Sequence, residues 1–235
     1  MIYNDPYPHY IIDNFIDDEL AHKLSNDFMG YDSPNWFIYN NQIEVKKSCN
    51  NWYNFPGETY KFFQYLNSST FVQRLSVLTG VQVIPDYGLH GAGWHIQPAQ
   101  GKLNIHLDYS IHPKLGLERK FNFILYLTPN WNTSWGGNLE LWSHNSENNS
   151  PKELIKTVEN KFNRAIIFDT TYNSWHGFSQ PINCPNDVYR KSIAMYYLCE
   201  PSETAPKRHR ALFSTTEDQK NDDSILKLIQ DRIKL

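Results

Sequence analysis

The sequence predicts an α+β protein, with a jelly-roll β core that follows a helical N-terminal region and precedes one C-terminal helix. Three observations carry this. Apolar residues recur at helical spacing before residue 81 and again after residue 223. Between these regions the period is alternating, in short stretches divided by Gly-, Pro- and Asn-rich clusters such as PAQGK, TPNWNTSWGG and SHNSENNSPK. Many short strands with such punctuation characterise sandwiches and barrels. No repeat at a fixed period appears, and 235 residues suit a single domain, since all-β domains often exceed about 200 residues.

Taken in order, residues 1–80 form a helical support region. Ile16, Leu20, Leu24 and Phe28 make one apolar stripe, which predicts a helix over Asp17–Met29. Asp17 and Asp18 stand where the helix dipole favours negative charge. Tyr31–Pro56, rich in Trp, Tyr and Asn, has no readable period. Helices follow at Gly57–Leu66 and Thr70–Thr79, the latter with Ser69 as N-cap and Gly80 as stop. Residues 81–200 carry the predicted strands: Val81–Ile84, Trp94–Gln97, Leu103–Asp108, Phe121–Leu127, Asn138–Trp142, Leu154–Val158, Arg164–Phe168 and Ser192–Leu198. Residues 201–235 form an extension ending in an amphipathic helix, Ser224–Leu235. Its apolar face, Ile225, Leu228, Ile229 and Ile233, is expected to dock on the protein's own core.

Composition excludes several classes. Lys and Arg number 22 against 25 Asp and Glu, a net charge of −3. A general nucleic-acid or anionic-membrane binder needs a basic excess. Aromatics reach 15% of the chain, too many for a disordered protein. No apolar run approaches the roughly 18 residues of a membrane helix, and the N-terminus has no signal-peptide pattern. Cys49, Cys184 and Cys199 are odd in number and widely spaced, so neither a disulfide scaffold nor a CxxC zinc site is indicated. A reducing cytosol is the expected compartment.

The chemistry is concentrated in LNIHLDYS, Leu103 to Ser110. On a strand, residues i and i+2 share a face, so His106 and Asp108 project together. An HxD pair alone is weak and needs a third ligand. His176, after the strand-like Ala165–Phe168 and at the expected edge of the sheet, supplies it. Two imidazoles and one carboxylate match the facial triad that holds non-haem Fe(II). That triad occupies one face of an octahedron, leaving two positions to chelate a 2-oxo acid and one for O2. A 2-oxo acid adds a requirement, because its distal carboxylate must meet a buried cation. Arg190 opens RKSIAMYYL, and Ser192 shares its face, giving a guanidinium fork and a hydroxyl. Tyr126, on the strand FNFILYLTP, offers a phenol to the same group.

These ordered motifs resemble the Fe(II)/2-oxoglutarate-dependent dioxygenases, and among them the prolyl 4-hydroxylase-like branch. The resemblance covers about Val81 to Leu198. It is strongest in NIHLDYSIHPKLGLERKFNFILYLTPNWNTSWGGNLELW, FNRAIIFDTTYNSWHGFSQP and RKSIAMYYL. It implies a double-stranded β-helix, a form of jelly roll related to the cupins. It implies Fe(II), 2-oxoglutarate and O2 as cofactor and co-substrates, with ascorbate as a stimulant. His106, Asp108 and His176 match the metal ligands. Arg190 matches the residue that binds the distal carboxylate, and Tyr126 the tyrosine that supports it. Because Asp108 is present, the resemblance implies hydroxylation rather than halogenation. Many prolyl hydroxylases carry a tyrosine shortly before the HxD. Here Asn104 stands on the face of His106 and is expected to replace that polar contact.

The implied substrate is a prolyl peptide or protein, with a free amino acid or small metabolite as the alternative. Neither nucleic acid nor membrane is expected as a partner. Ile111–Lys120 and Ser143–Lys152 are expected to act as lids; for His112, in the loop after the HxD strand, contact with substrate is the lesser reading, and His95 is expected to be more a structural histidine than a pocket residue. Two other classes are consistent with parts of the pattern: a cupin that uses the triad without a 2-oxo acid, and a catalytically silent sugar- or peptide-binding jelly roll. Arg190 with Ser192 opposes the first, and the intact triad opposes the second.

Overall fold

Local signals set the helices. In this computed structural model, which describes residues 2–234, two short N-terminal strands, β1 (Ile2–Tyr3) and β2 (His9–Ile12), precede α1 (Asp18–Asn26). The Asp17 carboxylate caps α1 by accepting from the Glu19 and Leu20 amides, groups that otherwise lack partners at a helix start. The Trp/Tyr/Asn-rich stretch contains β3 (Phe37–Asn40) and β4 (Glu44–Cys49), which form a hairpin. Next come α2 (Gly57–Leu66) and α3 (Ser69–Thr79). Ser68, one residue before the expected cap, accepts from the Phe71 amide, and Gly80 ends α3 at a φ of 73°, a conformation glycine adopts without steric cost.

The remaining strands are β5 (Ile84–Pro85), β6 (Gly93–Gln97), β7 (Lys102–Leu107), β8 (Glu118–Tyr126), β9 (Leu139–Asn145), β10 (Ser150–Val158), β11 (Ala165–Asp169), β12 (Trp175–Phe178), β13 (Arg190–Cys199) and β14 (Leu212–Phe213). They join one curled antiparallel sheet in the order β1-β2-β11-β8-β13-β6-β4-β7-β12-β9-β10. β4 spans the corner. Its Lys47–Cys49 segment pairs with β6, and Glu44 and Val45 pair with β7. The predicted jelly-roll core within an α+β protein is therefore present.

Residue alternation sorts the two faces of the larger half. On β13, Ile193, Met195 and Tyr197 pack with Phe121, Phe123 and Leu125 of β8 against Leu24, Phe63, Leu66, Phe71 and Leu75 from the three helices. The intervening residues of both strands point inside the roll. Burying side chains of this size contributes roughly 1.5–3 kcal/mol each, which fixes register, because a one-residue slip would turn every one of them over. α4 (Asp223–Lys234) follows, docked through Ile225, Leu228 and Ile229 on Ile43 and Phe213. Ile233 is exposed, and Leu235, the last residue of the predicted helix, lies outside the described residues. Among those residues no helix is long and apolar enough to cross a membrane.

Several expectations need correction. The N-terminal region is helical only in part, since four of its segments are strands of the sheet. His176 stands on an inner strand, with β7 on one side and β9 on the other, and not at a sheet edge. The two segments expected as lids take defined forms. Ser143–Lys152 is the turn of the β9–β10 hairpin. Ile111–Lys120 is a tight loop closed by an Ile111–Glu118 bridge, leading into β8.

Candidate metal centre and co-substrate pocket

β7 delivers His106 into the roll, and Asp108 follows just past its end; β12 delivers His176 directly opposite, as the cross-strand partner of His106. Their ligand atoms lie within 4.8 Å of one another, and all three residues are buried. His106 Nε2 is 3.7 Å from Asp108 Oδ1, and His176 Nε2 is 3.8 Å from Oδ2. Each imidazole donates through Nδ1 to a main-chain carbonyl, of Asn104 at 2.9 Å and of Ser174 at 2.8 Å. A carbonyl only accepts, so Nδ1 carries the proton and the Nε2 lone pair faces the site. Burial, with the neighbouring His176, pushes His106 down to about 3, and burial lowers His176 as well. Both are therefore neutral donors at neutral pH.

Asp108 is held ionised. Burial opposes its charge, but His176, Arg119 and His106 outweigh it, aided by a 3.1 Å hydrogen bond from Asn122 Nδ2 to Oδ2. Arg119 Nη1 stands 3.5 Å from Oδ1. Its guanidinium lies between the rings of Tyr109 and Tyr196, 3.3 and 3.2 Å from their centroids, and donates to the His90 carbonyl. Phe213 stacks on His106 at 4.8 Å, and Phe168 meets the His176 ring edge-on at 4.7 Å. Two neutral imidazoles and one carboxylate, pre-set within a few ångströms, fit a divalent metal with open positions.

The second part of the site lies across the cavity, which has a volume of about 620 Å³. Arg190 opens β13 beside Gln97 of β6. It is fully inside, donating through Nε to the Gly137 carbonyl at 2.7 Å and through Nη1 to Gln97 Oε1 at 2.8 Å. Among the described residues no carboxylate pairs with it, and burial lowers its pKa, with only Tyr126 opposing. The Tyr126 ring centroid is 5.0 Å from the guanidinium carbon, and its buried hydroxyl has no hydrogen-bond partner. Ser192 is the cross-strand neighbour of both Tyr126 and His95. A buried cation without an anion, beside an orphaned hydroxyl, fits an incoming carboxylate.

The structure thus brings His106, Asp108, His176, Arg190, Ser192 and Tyr126 to one interior. Asn104 is not among them. Its amide donates instead to the Ser214 carbonyl and to Gln219 Oε1. The cause is a bulge in β7: His106 faces His176, but Phe178 faces Leu103, so three steps on β7 match two on β12. The extra residue reverses the face on which Asn104 falls. Gly177 makes this possible. It sits at a φ of 151°, where an added Cβ would lie 2.7 Å from the Leu103 and Asn104 carbonyl oxygens.

His112 is also turned away. It is buried, with Nε2 3.5 Å from Asp86 and Nδ1 accepting from the Lys114 and Leu115 amides. His95, in contrast, lines the cavity. Reasoning from sequence missed the β4 stripe, Asn122, and the Tyr109–Arg119–Tyr196 stack. Only the alternation of Asn122 with Ile124 and Tyr126 carried a signal for any of these.

Residues 93–198 match the 2OG-Fe(II) oxygenase superfamily. Prolyl 3-hydroxylase OGFOD1 of Mus musculus is 28% identical over 86% of this chain, and the Xenopus laevis protein of that name is 26% identical over 76%. The chain spans about a third of the length of these curated relatives, 34% and 32%. A Trichoplax adhaerens prolyl hydroxylase, solved with a hypoxia-inducible-factor peptide fragment, superposes with a TM-score of 0.58 at 17% identity, covering 81% of this chain and 83% of that one. A Pseudomonas putida prolyl-4-hydroxylase gives 0.55 at 17%, covering 83% and 93%. HygX from Streptomyces hygroscopicus, solved with nickel, 2-oxoglutarate and hygromycin B, gives 0.54 at 9%, covering 81% and 82%.

Fold, triad and the match over residues 93–198 together make this chain similar to the 2OG-Fe(II) oxygenases. Its fold is the one seen in solved prolyl hydroxylases, and the curated proteins it resembles carry that name.

Proposed function

We propose that the chain hydroxylates a prolyl residue of a peptide or protein, converting 2-oxoglutarate to succinate and CO2 as it does so. The observation that carries this is the pairing of a pre-set His/Asp/His triad with a buried guanidinium that lacks an anion. His106, Asp108 and His176 hold the metal. Arg190 receives the distal carboxylate of 2-oxoglutarate, with the Tyr126 and Ser192 hydroxyls beside it. Bound there, Fe(II) and 2-oxoglutarate supply the activation of O2. The protein's own work is to orient and to exclude water. Nδ1 donation fixes both imidazoles, Asn122 and Arg119 fix the carboxylate, and the Phe168, Phe178 and Phe213 rings dry the metal's surroundings. Such preorganisation means that little rearrangement accompanies the reaction.

The relatives' names point to carbon 3 of proline. The cytosol is the compartment we assign. Cys49, Cys184 and Cys199 are all free thiols, which suits reducing conditions. The test is succinate formation under air with Fe(II), 2-oxoglutarate and ascorbate across prolyl peptides and free amino acids, with Asp108→Ala beside it. Hydroxyproline isomer analysis of the product then assigns the carbon. Succinate that rises with a peptide and vanishes in the variant supports the proposal. Succinate that rises only with a free amino acid moves the substrate to the small-molecule alternative.

A further inference from the structure

Glu44, Lys46 and Ser48 alternate along β4, and all three face the cavity. The Glu44 side chain is 3% exposed, and two cations share it. Lys46 Nζ is 2.9 Å from Oε1, and Arg232, from the last turn of α4, bonds Oε2. One carboxylate balances one cation. Among the described residues no other carboxylate is within ion-pair distance of either Lys46 or Arg232.

The rest of the cavity does not supply the missing anion. Asp108 faces Arg119, and Arg190 awaits 2-oxoglutarate. A 2-oxoglutarate dianion shared between a divalent metal and Arg190 leaves the loaded cavity cationic, and nothing in it offsets the second cation on the β4 wall. Docking α4 requires only one of the two, and Arg232 alone would do that. Lys46 is the surplus. Its side chain is 14% exposed, and its period-two position aims it inward. Its charge acts on the adjoining strand: after burial, Lys46 is the next cause that holds His95 of β6 down at about 3. Tyr39 completes the wall, its ring 5.1 Å from Lys46 Nζ and 5.8 Å from Arg232 Cζ. A partly buried cation that shares its one counter-ion with a second cation is under-compensated until another anion arrives.

We propose that Lys46, with Arg232 beside it, is a second carboxylate-binding site in the cavity, separate from Arg190, and that it receives a carboxylate of the substrate. This rests on the hydroxylase reading above, since it takes the cavity to be where substrate binds. The carboxylate has two sources: an acidic side chain flanking the target proline, or the α-carboxylate of a free amino acid.

The full chain, loaded with Mn(II) and N-oxalylglycine to prevent turnover, is titrated with four probes. Three are capped hexapeptides with a central proline flanked by aspartate, by alanine or by lysine; the fourth is free proline. The expected result is that the aspartate peptide or free proline binds about ten-fold or more tightly than the alanine peptide, the scale of one charge-assisted hydrogen bond. Which of the two binds identifies the source. The advantage should disappear in Lys46→Met, return in Lys46→Arg, and weaken with salt in the wild type. N-oxalylglycine affinity, measured in each variant, reports that the cavity has kept its shape.

Equal binding of the alanine and aspartate peptides, with free proline no tighter, overturns the proposal. So does a preference that survives in both Lys46→Met and Arg232→Gln, or a failure of all four probes to bind. The hydroxylase reading is judged separately: succinate formed with the alanine peptide, in the absence of any charge preference, leaves it standing without the second site.

Discussion

Replacing Arg190 by Met keeps most of the side-chain volume and removes the charge and the donor fork. In the wild type the guanidinium is positioned before any ligand arrives, by Gly137 O at 2.7 Å and Gln97 Oε1 at 2.8 Å. Among the described residues it has no acid partner, and burial lowers its pKa, so the cost of desolvating the cation is already present in the free protein. An arriving carboxylate recovers that cost and pays none for ordering. Truncating one partner of a buried, hydrogen-bonded charge pair costs about 2–5 kcal/mol. The lower part of that range applies, because water can enter the cavity of the variant. About 2–4 kcal/mol corresponds to a rise of roughly 30- to 1,000-fold in the 2-oxoglutarate dissociation constant. Arg190→Lys, which keeps the charge without the fork, should fall between. The assay is calorimetric titration of 2-oxoglutarate into the Co(II)-loaded protein, with Co(II) affinity measured separately. The proposed metal ligands are other residues, so Co(II) affinity should stay within a few-fold of wild type. A 2-oxoglutarate affinity changed by less than about three-fold would refute the assignment of Arg190 to the distal carboxylate.

Asp108→Ala removes the only anionic member of the triad and should leave no Co(II) ligand-field absorption at concentrations that saturate wild type; full activity retained would rule out the triad. Gly177→Ala places a Cβ 2.7 Å from two carbonyl oxygens; at about 3 kcal/mol of strain and displacement the melting temperature should fall by roughly 6–12 °C, and an unchanged value would mean that β7 and β12 separate freely. Stability without metal should fall on acidification. His95 and His106 are both depressed to about 3 by burial, whereas unfolded histidines take up protons near 6.5. Below about pH 6.5 the unfolded chain therefore binds more protons than the folded one, and stability is lost at up to about 1.4 kcal/mol per pH unit per histidine. Urea midpoints of EDTA-treated protein at pH 7.5 and 5.0 check this, and equal midpoints would contradict it.

What the sequence disclosed depended on regular alternation. His106 and Asp108, and Arg190 with Ser192, were legible because each pair is two residues apart, on or just past the end of a strand that carries an apolar face as well. β8 and β13 show that face clearly, since Phe121, Phe123, Ile193 and Met195 pack on helices. β4 was illegible for the opposite reason. Its inward residues, Glu44, Lys46 and Ser48, are polar because they line a polar cavity, and Lys47 on its other face is polar too. A reading that expects apolar residues inside finds no strand there. β12 is four residues with a glycine among them, too short for any period to register. Asn104 was misplaced by one bulge, since parity counted along β7 fails where an extra residue enters. The Tyr109–Arg119–Tyr196 stack joins residues from a loop and two strands, and no local pattern connects them.

The strand that carries His106 completes its pairing late along the chain. β14 pairs with β7 at the ligand itself, Phe213 opposite His106, and the same ring covers that imidazole. The amide of Asn104, two residues earlier, is held by Ser214 and Gln219. During synthesis, then, both histidines and the aspartate emerge from the ribosome well before the segment that encloses them. A nascent chain that ends short of residue 213 has its ligands but an open, wet pocket. Enclosure of the His106 ring thereby waits on a segment more than a hundred residues further along the chain.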